Sequence, residues 1–536
     1  MTVSHHSLSS RAEHGEGVRW PGITARPVPE EVPWVGPTVS ELTLRALRRY
    51  PDRVAFVDGA ESLTYGAVLE LIGRIQTVLQ AKGLRRGDRV GLLGGNSVAV
   101  WCAGVAVQAC GMVSSPLHPK GSLQDQLYQL ADLDAAACLV DVRTHAIRAH
   151  ELAEQADGVH VFGLGGEVGG PDLLAEAHAV GSVRAVDTAR SDEIGLVNYT
   201  GGTTGTPKGA VRRHRALSRA VQAVLSDFEV PVGARYLAVA PISHVGGTKV
   251  LPVLLRGGTV HLHQAFDPGR VLAAVERDRI TMTLAVPTMI YSLLDEPALS
   301  RTDLSSLELV LYGAAPISPT RLAQATERFG PVFSHLYGQT ECYPISVLRR
   351  DEHQDPALVG SCGVPVSPNE VTLLDPDGAK VPTGETGEIC VRGPFVMEGY
   401  VGKPELTAET LADGWLHTGD LARRDERGFL TIVDRLKDMI ISGGFNVYPR
   451  EVEDALTSHP SVAAAAVYGI PDERWGEAVT AAVVLRPGSA ATATDLSGHV
   501  RELKGAVQAP KQILLVDALP TTAIGKIDKK ALRSRH

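Results

Sequence analysis

Residues 199–209 read Tyr199-Thr200-Gly201-Gly202-Thr203-Thr204-Gly205-Thr206-Pro207-Lys208-Gly209. Four glycines, four threonines and one lysine in eleven residues suit a tight turn that offers backbone N–H groups, hydroxyls and an ammonium to an anion. Residues 195–198 read as a strand, which places the turn at the carboxyl end of a sheet. Ligands collect there in open α/β folds. No Gly-Lys-Ser/Thr occurs in the stretch, so it is not a Walker A loop.

Outward from this turn, strand and helix patterns alternate. Thr38-x-x-Glu41 opens an apolar-periodic helix as a capping box. Residues 54–57 read as a strand, and 69–79 as a helix stopped near Gly83. Residues 90–117 run 28 positions without a charge and imitate a membrane span. Asn96, Ser97 and several glycines divide them into strand 90–93, helix 98–109 and strand 112–116, so a buried β-α-β unit is the better reading. The alternation continues to about residue 345 and argues for α/β architecture with largely parallel sheets. After Gly360 short β-like runs at 371–374, 388–392 and 430–433 predict a small barrel or antiparallel unit. From about residue 437 a Pro449-led helix and strands at 463–468 and 478–485 predict a separate α+β domain. The expected division is a lead-in at 1–37, a body of two α/β lobes plus a small β-barrel at 38–436, and a mobile domain at 437–536.

Composition narrows the function. Hydrophobic residues at 44% and charged residues at 21% are those of a folded globular chain, not a disordered one. A net charge of −9 with no basic block argues against nucleic acid and anionic membranes. Any bound phosphate must therefore be held by local geometry. The six cysteines (Cys102, Cys110, Cys138, Cys342, Cys362, Cys390) include no C-x-x-C pair, and no apolar leader opens the sequence; both fit reduced thiols in a cytoplasmic protein.

The segment Thr203-Thr204-Gly205-x-Pro207-Lys208-Gly209 resembles the signature loop of the adenylate-forming superfamily of acyl-CoA synthetases, luciferases and peptide-synthetase adenylation domains. Six more motifs follow in that family's order. They begin with Pro241-Ile242-Ser243-His244 and Gly313-Ala314-Ala315-Pro316, then Tyr337-Gly338-Gln339-Thr340-Glu341 and Trp415-Leu416-His417-Thr418-Gly419-Asp420. The block Asp434-Arg435-Leu436-Lys437-Asp438 leads into Gly443-Gly444-Phe445, and Pro520-Thr521-Thr522-Ala523-Ile524-Gly525-Lys526 closes the series. The ordered set spans roughly residues 38–533.

The resemblance implies an ATP-dependent acyl-CoA synthetase that forms acyl-AMP and passes the acyl group to CoA. Lys526 matches the lysine that offsets repulsion between a carboxylate and the α-phosphate, a task that needs a positioned cation. Glu341 is the expected Mg²⁺ ligand, and Thr340 the α-phosphate contact. Asp420 is matched to the ribose, with Arg435 beside it. Thr200 to Gly205 and Lys208 are matched to phosphate, and Gly313, Ala314, Ala315, Tyr337 and Gly338 to the rest of the nucleotide. Lys437 matches the hinge about which the C-terminal domain turns. The turn would bring Gly443, Gly444 and Phe445 to the CoA arm, where glycine lets a thiol slide past backbone. His244 matches the residue near the acyl carboxylate. Val245, Gly246, Lys249, Met289 and Tyr343 are the candidate acyl-pocket residues.

Departures from the family pattern refine the expectation. Gly201 stands where a serine is common, removing one hydroxyl from the phosphate turn; this is compatible with an enzyme performing mainly the thioester step. Amino-acid-activating relatives place an Asp just after the His244 motif. This chain has Val245, and residues 231–264 hold no Asp or Glu, so an uncharged acyl chain or ring is expected. Gly246-Gly247 is read as leaving room for a bulky or aryl acid. The motifs also suit an acyl-AMP ligase loading a carrier protein's phosphopantetheine, or a non-catalytic adenylate-binding protein. A homodimer is compatible with each. Gly163-x-Gly165 lacks the third glycine of a dinucleotide fingerprint. His261 and His263 lack a third metal ligand at the right spacing, and no Gly-x-Ser-x-Gly elbow occurs.

Overall fold

A computed structural model describes residues 36–200, 207–521 and 527–534, together with the backbone of two short strands near the start. Residues 1–36 form one compact unit and 37–536 another. In the first, Arg19–Trp20 pairs antiparallel with Ile23–Thr24. The phosphate-turn positions Gly201, Gly202, Thr203, Thr204 and Gly205, and the lysine Lys526, lie outside the described residues.

Two sheets organise the larger unit. One has seven strands with Arg89–Leu93 near its middle, flanked by Val113–Pro116 and Ala137–Asp141 in parallel. The other has nine, with Arg235–Ala238, Thr259–Leu262, Met282–Ala285, Leu309–Gly313 and Phe333–Tyr337 parallel in its centre. The largest apolar cluster joins strand residues of both sheets (Val90, Leu92, Phe56, Tyr236, Leu309) to helices Val39–Arg49, Tyr65–Ala81, Val98–Ala109, His214–Asp227 and Val250–Leu255. These helices form an inner layer between the sheets. Separate clusters on the outer faces recruit Leu123–Leu133 and Val142–Gln155 on one side and Pro268–Arg277, Pro287–Leu294 and Pro319–Phe329 on the other.

This layering explains the charge-free stretch. Helix Val98–Ala109 is buried on nearly every side, at Val98, Ala99, Val100, Cys102, Ala103, Val105, Ala106, Val107 and Ala109. A helix covered by two sheets has no face left for charge. No helix among the described residues is long and apolar enough to cross a membrane. At the start of Val39–Arg49 only half of the expected capping box forms. Thr38 accepts the Glu41 N–H at 2.9 Å, while the Glu41 carboxylate turns along the helix to Arg45.

Beyond residue 360, Glu370–Leu374, Thr386–Arg392, Leu416–Arg424 and Leu430–Arg435 form a four-stranded antiparallel sheet. Its two edge strands carry no described mutual pairing, so the expected barrel takes the form of an open sheet. The smaller C-terminal domain packs Pro449–Ser458 and Ala493–Lys504 on a sheet of Val462–Asp472, Gly476–Leu485 and Gln512–Leu515 through Val452, Leu456, Leu496, Val500, Val467 and Val483. It meets the body at the 434–438 block. The Arg450 N–H donates to Asp434 Oδ2 at 3.0 Å, and the Arg450 guanidinium to the Ile432 carbonyl at 2.9 Å.

Burial sets the acid stability. It holds His244 and His335 down to about 3 and His261 down to about 4. These histidines stay neutral when folded and protonate when unfolded, so their contribution is intact above about pH 6.5. It is lost as pH falls towards those values, by at most about 1.4 kcal/mol per pH unit for each histidine. Burial also raises Asp434 and Asp454 to about 6, which favours the folded state as pH drops and partly offsets the loss. We expect the urea midpoint to fall between pH 7 and pH 5, as equilibrium unfolding followed by circular dichroism would show.

Candidate active site

Strand register places the central pair. Leu416–Arg424 and Leu430–Arg435 run antiparallel with Asp420 opposite Arg435. Asp420 is 3% exposed. Its Oδ2 accepts the Tyr337 hydroxyl at 2.7 Å and Gln339 Nε2 at 2.6 Å, and its Oδ1 pairs with Arg435 Nε at 3.1 Å. Asp420 in turn raises the Arg435 guanidinium above its ordinary value. Burial, reinforced by the Asp420 carboxylate, holds the Tyr337 phenol protonated. A carboxylate has about four acceptor positions, and these donors take three. One position remains for a ribose hydroxyl, so holding two requires a resident donor to turn away.

A second arm runs from the phosphate turn. Thr200 ends strand Ile194–Thr200 and is paired across to Lys208, which opens Lys208–Arg213. Lys208 Nζ lies 5.6 Å from the centre of the Tyr400 ring. The Tyr400 hydroxyl donates to Glu341 Oε1 at 2.6 Å. Tyr400 reaches this position because Ala210 and Tyr400 pair across adjacent strands. Further along the Lys208–Arg213 strand the buried Arg212 guanidinium donates to the Thr340 carbonyl, fixing the Thr340-Glu341 backbone. Partial burial, with Arg435 and Lys208 nearby, lowers the Lys437 ammonium below its usual value. Lys208, Arg435 and Lys437 therefore share one electrostatic neighbourhood with Glu341 and Asp420. This is the local charge that the acidic bulk composition does not reveal. The donor set fits Mg²⁺: an oxygen-only carboxylate beside a phosphate turn is what a hard cation takes.

Small residues shape the nucleotide side. A Cβ on Gly313 would lie 2.2 Å from the Leu336 carbonyl oxygen, so glycine permits the close approach of two strands. Ala314 follows at φ 65°, in the left-handed region that an alanine rarely occupies, and Ala315 continues the turn. Gly338 lets the Tyr343 ring pack where a Cβ would lie 2.8 Å from Cδ2. Glu388, Cys390 and His417 lie within 4.8 Å of one another. His417 shares a 2.8 Å hydrogen bond with Glu388, whose other oxygen accepts the Gly419 N–H at 2.8 Å. The trio braces the turn that delivers Asp420.

His244 is half-buried with its ring edge against His118, centroids 4.7 Å apart, and its Nδ1 is 2.9 Å from Ser243 Oγ. Neutral at physiological pH, it can hydrogen-bond a carboxylate but not neutralise it. Val245–Lys249 then forms a short 3-10 helix. The two glycines in it also have a backbone role. A Cβ on Gly246 would sit 2.7 Å from the Ala240 oxygen, and one on Gly247 1.7 Å from the Ile242 oxygen. Both glycines close a turn against backbone, and neither position could carry a side chain. Met289 packs against a different core cluster from Val245. Gly443 and Gly444 adopt φ of 60° and 81°, and the adjacent Phe445 is 61% exposed. The Gly443 N–H donates to the Trp475 carbonyl at 2.7 Å, within the C-terminal domain. Tyr400, Gln339, Arg212 and His118 escape a reading of the sequence because each acts through a partner distant in the chain.

Known proteins resemble the chain in sequence and fold. A family described as AMP-binding enzyme matches residues 44–401, and its C-terminal domain, described as AMP-binding enzyme C-terminal domain, matches residues 451–526. The medium/long-chain-fatty-acid–CoA ligase FadD8 of Mycobacterium tuberculosis is 43% identical, over 92% of this chain and 89% of its own. A feruloyl-CoA synthase of Amycolatopsis is 41% identical, over 92% and 98%. The solved structure of the amide bond synthetase McbA from Marinactinospora thermotolerans superposes with a TM-score of 0.86 at 36% identity, over 92% and 99%. On sequence, fold and the meeting of its motifs, the chain belongs to the AMP-binding enzyme family.

Proposed function

We propose that the chain is an ATP-dependent acyl-CoA synthetase, an AMP-forming acid–thiol ligase that uses free CoA as acceptor. The observation that carries this reading is the convergence of four separated motifs. Asp420, Tyr337 and Arg435 make one network, and Lys208, Tyr400 and Glu341 make a second, in a shared field of charge. Asp420 and Arg435 orient the ribose, the backbone and Lys208 of the 199–209 turn hold phosphates, and Lys526 steers the acid to the α-phosphate. Mg²⁺ held at Glu341 supplies neutralisation of phosphate charge. His244 donates to or accepts from the acyl carboxylate as a neutral imidazole.

The remaining assignments belong to the same reading. The hinge lies at Lys437, dividing the body at 38–436 from the mobile domain at 437–536. Gly443, Gly444 and Phe445 face the CoA arm in the second half-reaction, their left-handed backbone and exposure being suited to a moving ligand. Six free, buried cysteines agree with a cytoplasmic setting. The test is a panel of carboxylic acids with MgATP, assayed for pyrophosphate and then for loss of free CoA thiol. We expect both with the preferred acid. Pyrophosphate with transfer only to a holo-carrier or to an amine would replace free CoA as acceptor. Tight adenylate binding without pyrophosphate would make the protein non-catalytic.

A further inference from the structure

Lys249 is fully buried, yet among the described residues no carboxylate pairs with it. Its Nζ contacts the Tyr343 hydroxyl and Thr248 Oγ1, the latter at 3.2 Å. Aromatic faces complete the enclosure: Nζ lies 5.2 Å from the centre of Phe228 and 4.7 Å from that of Tyr343. A buried ammonium without an anion is costly, and proteins normally pair or neutralise it. Burial alone lowers this one to about 7, so both protonation states are accessible near neutral pH.

The hydrogen-bond accounting is uneven. Thr248 commits its proton to the Val245 carbonyl at 2.7 Å, so its oxygen accepts from Lys249. When Lys249 is charged it also donates to the Tyr343 oxygen, which Thr248 Oγ1 approaches from the donor side at 3.3 Å, so the Tyr343 proton has no acceptor among the described residues. In the charged form the site therefore holds a cation and an uncommitted hydroxyl proton, with no acceptor for that proton among the described residues. Its position supplies the context. Lys249 ends the short helix that starts after His244, and Tyr343 stands two residues beyond Glu341. The pair thus bridges the segment next to the acyl carboxylate and the segment next to the phosphates.

We propose that Lys249 and Tyr343 form a polar pole of the acyl pocket that selects acids carrying a second oxygen function, a hydroxyl or a carboxylate, away from the reacting carboxyl. Tyr343 makes the contact, and Lys249 is the positioning residue that supplies charge and orients the phenol. The inference rests on the acyl-CoA synthetase reading and sharpens its substrate class. An acid carrying an ammonium there is disfavoured, because the charged form of Lys249 repels it.

The experiment uses the full-length protein with MgATP and three matched acids: 3-phenylpropenoic acid, its 4-hydroxy form and its 4-carboxy form. Pyrophosphate release gives kcat and KM for each, in the wild type, Lys249→Met and Tyr343→Phe. For at least one oxygenated acid the wild-type kcat/KM should exceed that of the unsubstituted acid by about tenfold or more, the penalty for leaving buried polar groups unpaired. Lys249→Met should bring that ratio near one, mainly through KM, and Tyr343→Phe should reduce it. The melting temperature of Lys249→Met should not fall, since the change removes a buried unpaired cation of similar size. Preference for the hydroxyl or for the carboxylate form identifies which oxygen function is read. A wild-type ratio near one, or an undiminished ratio in Lys249→Met, overturns this proposal alone. Absence of pyrophosphate with every acid overturns the synthetase reading beneath it.

Discussion

Lys526→Ala should lower acid-dependent pyrophosphate release by about 10²–10³-fold, the usual loss when one preorganised electrostatic group is removed from a reacting centre. The obstacle in the first half-reaction is bringing a carboxylate to a phosphate that is already anionic. Of the cations assigned to the site, Lys208 lies on the body by the phosphate turn, and Arg435 is tied to Asp420. In the proposed function the bridge between acid and α-phosphate falls to Lys526. Lys526 belongs to the Pro520-Thr521-x-x-x-Gly525-Lys526 frame, whose described flanks Thr521 and Ile527 pair across an antiparallel bridge. Conversion of a supplied acyl-adenylate and CoA to thioester should persist in the variant, because the proposed rotation withdraws this lysine before that step. Equal loss of both half-reactions would show that Lys526 acts on the fold or on CoA.

Asp420→Asn should raise the KM for ATP by about tenfold or more, with a much smaller effect on the KM for the acid. Charge-assisted hydrogen bonds are worth about 1.5–3 kcal/mol, and the Asp420 carboxylate makes three contacts of this kind. The substitution removes the charge that holds Arg435 and leaves Tyr337 and Gln339 facing an amide, one end of which is a donor. Stability should suffer less than function. The Arg435 side chain is 47% exposed, and solvent screens that half of the network. Initial-rate measurements with ATP and acid varied separately would check the split. A rise in both KM values together, with a lower melting temperature, would instead mark Asp420 as purely structural.

Much of the architecture was legible because local signals agreed. Ser97 caps helix Val98–Ala109 by accepting the Val100 N–H, and the helix bounds match those read from the residues. The absence of charge in that stretch was readable, but its cause was not. Two sheets cover the helix, and only topology shows this. At the site, the residues matched by motif order were legible, while the groups that orient them were not. Arg212 grips Thr340 from 128 residues away, and Tyr400 reaches Glu341 across 59. Those distances are set by strand register, which no local pattern encodes. Gly246 and Gly247 make the converse point. A glycine announces that a Cβ is absent but not which way it would have pointed, and here it points at backbone. Lys249 was visible as a pocket candidate. That it lacks a counter-charge depends on everything packed around it.

Isotope exchange between pyrophosphate and ATP, measured with and without acid and without CoA, tests most directly whether the Asp420 and Glu341 networks hold MgATP for attack by a carboxylate. Exchange should require both Mg²⁺ and the preferred acid, and it should fall in Asp420→Asn and Lys526→Ala. Exchange independent of acid, or none with any acid while ATP still binds, would contradict that role.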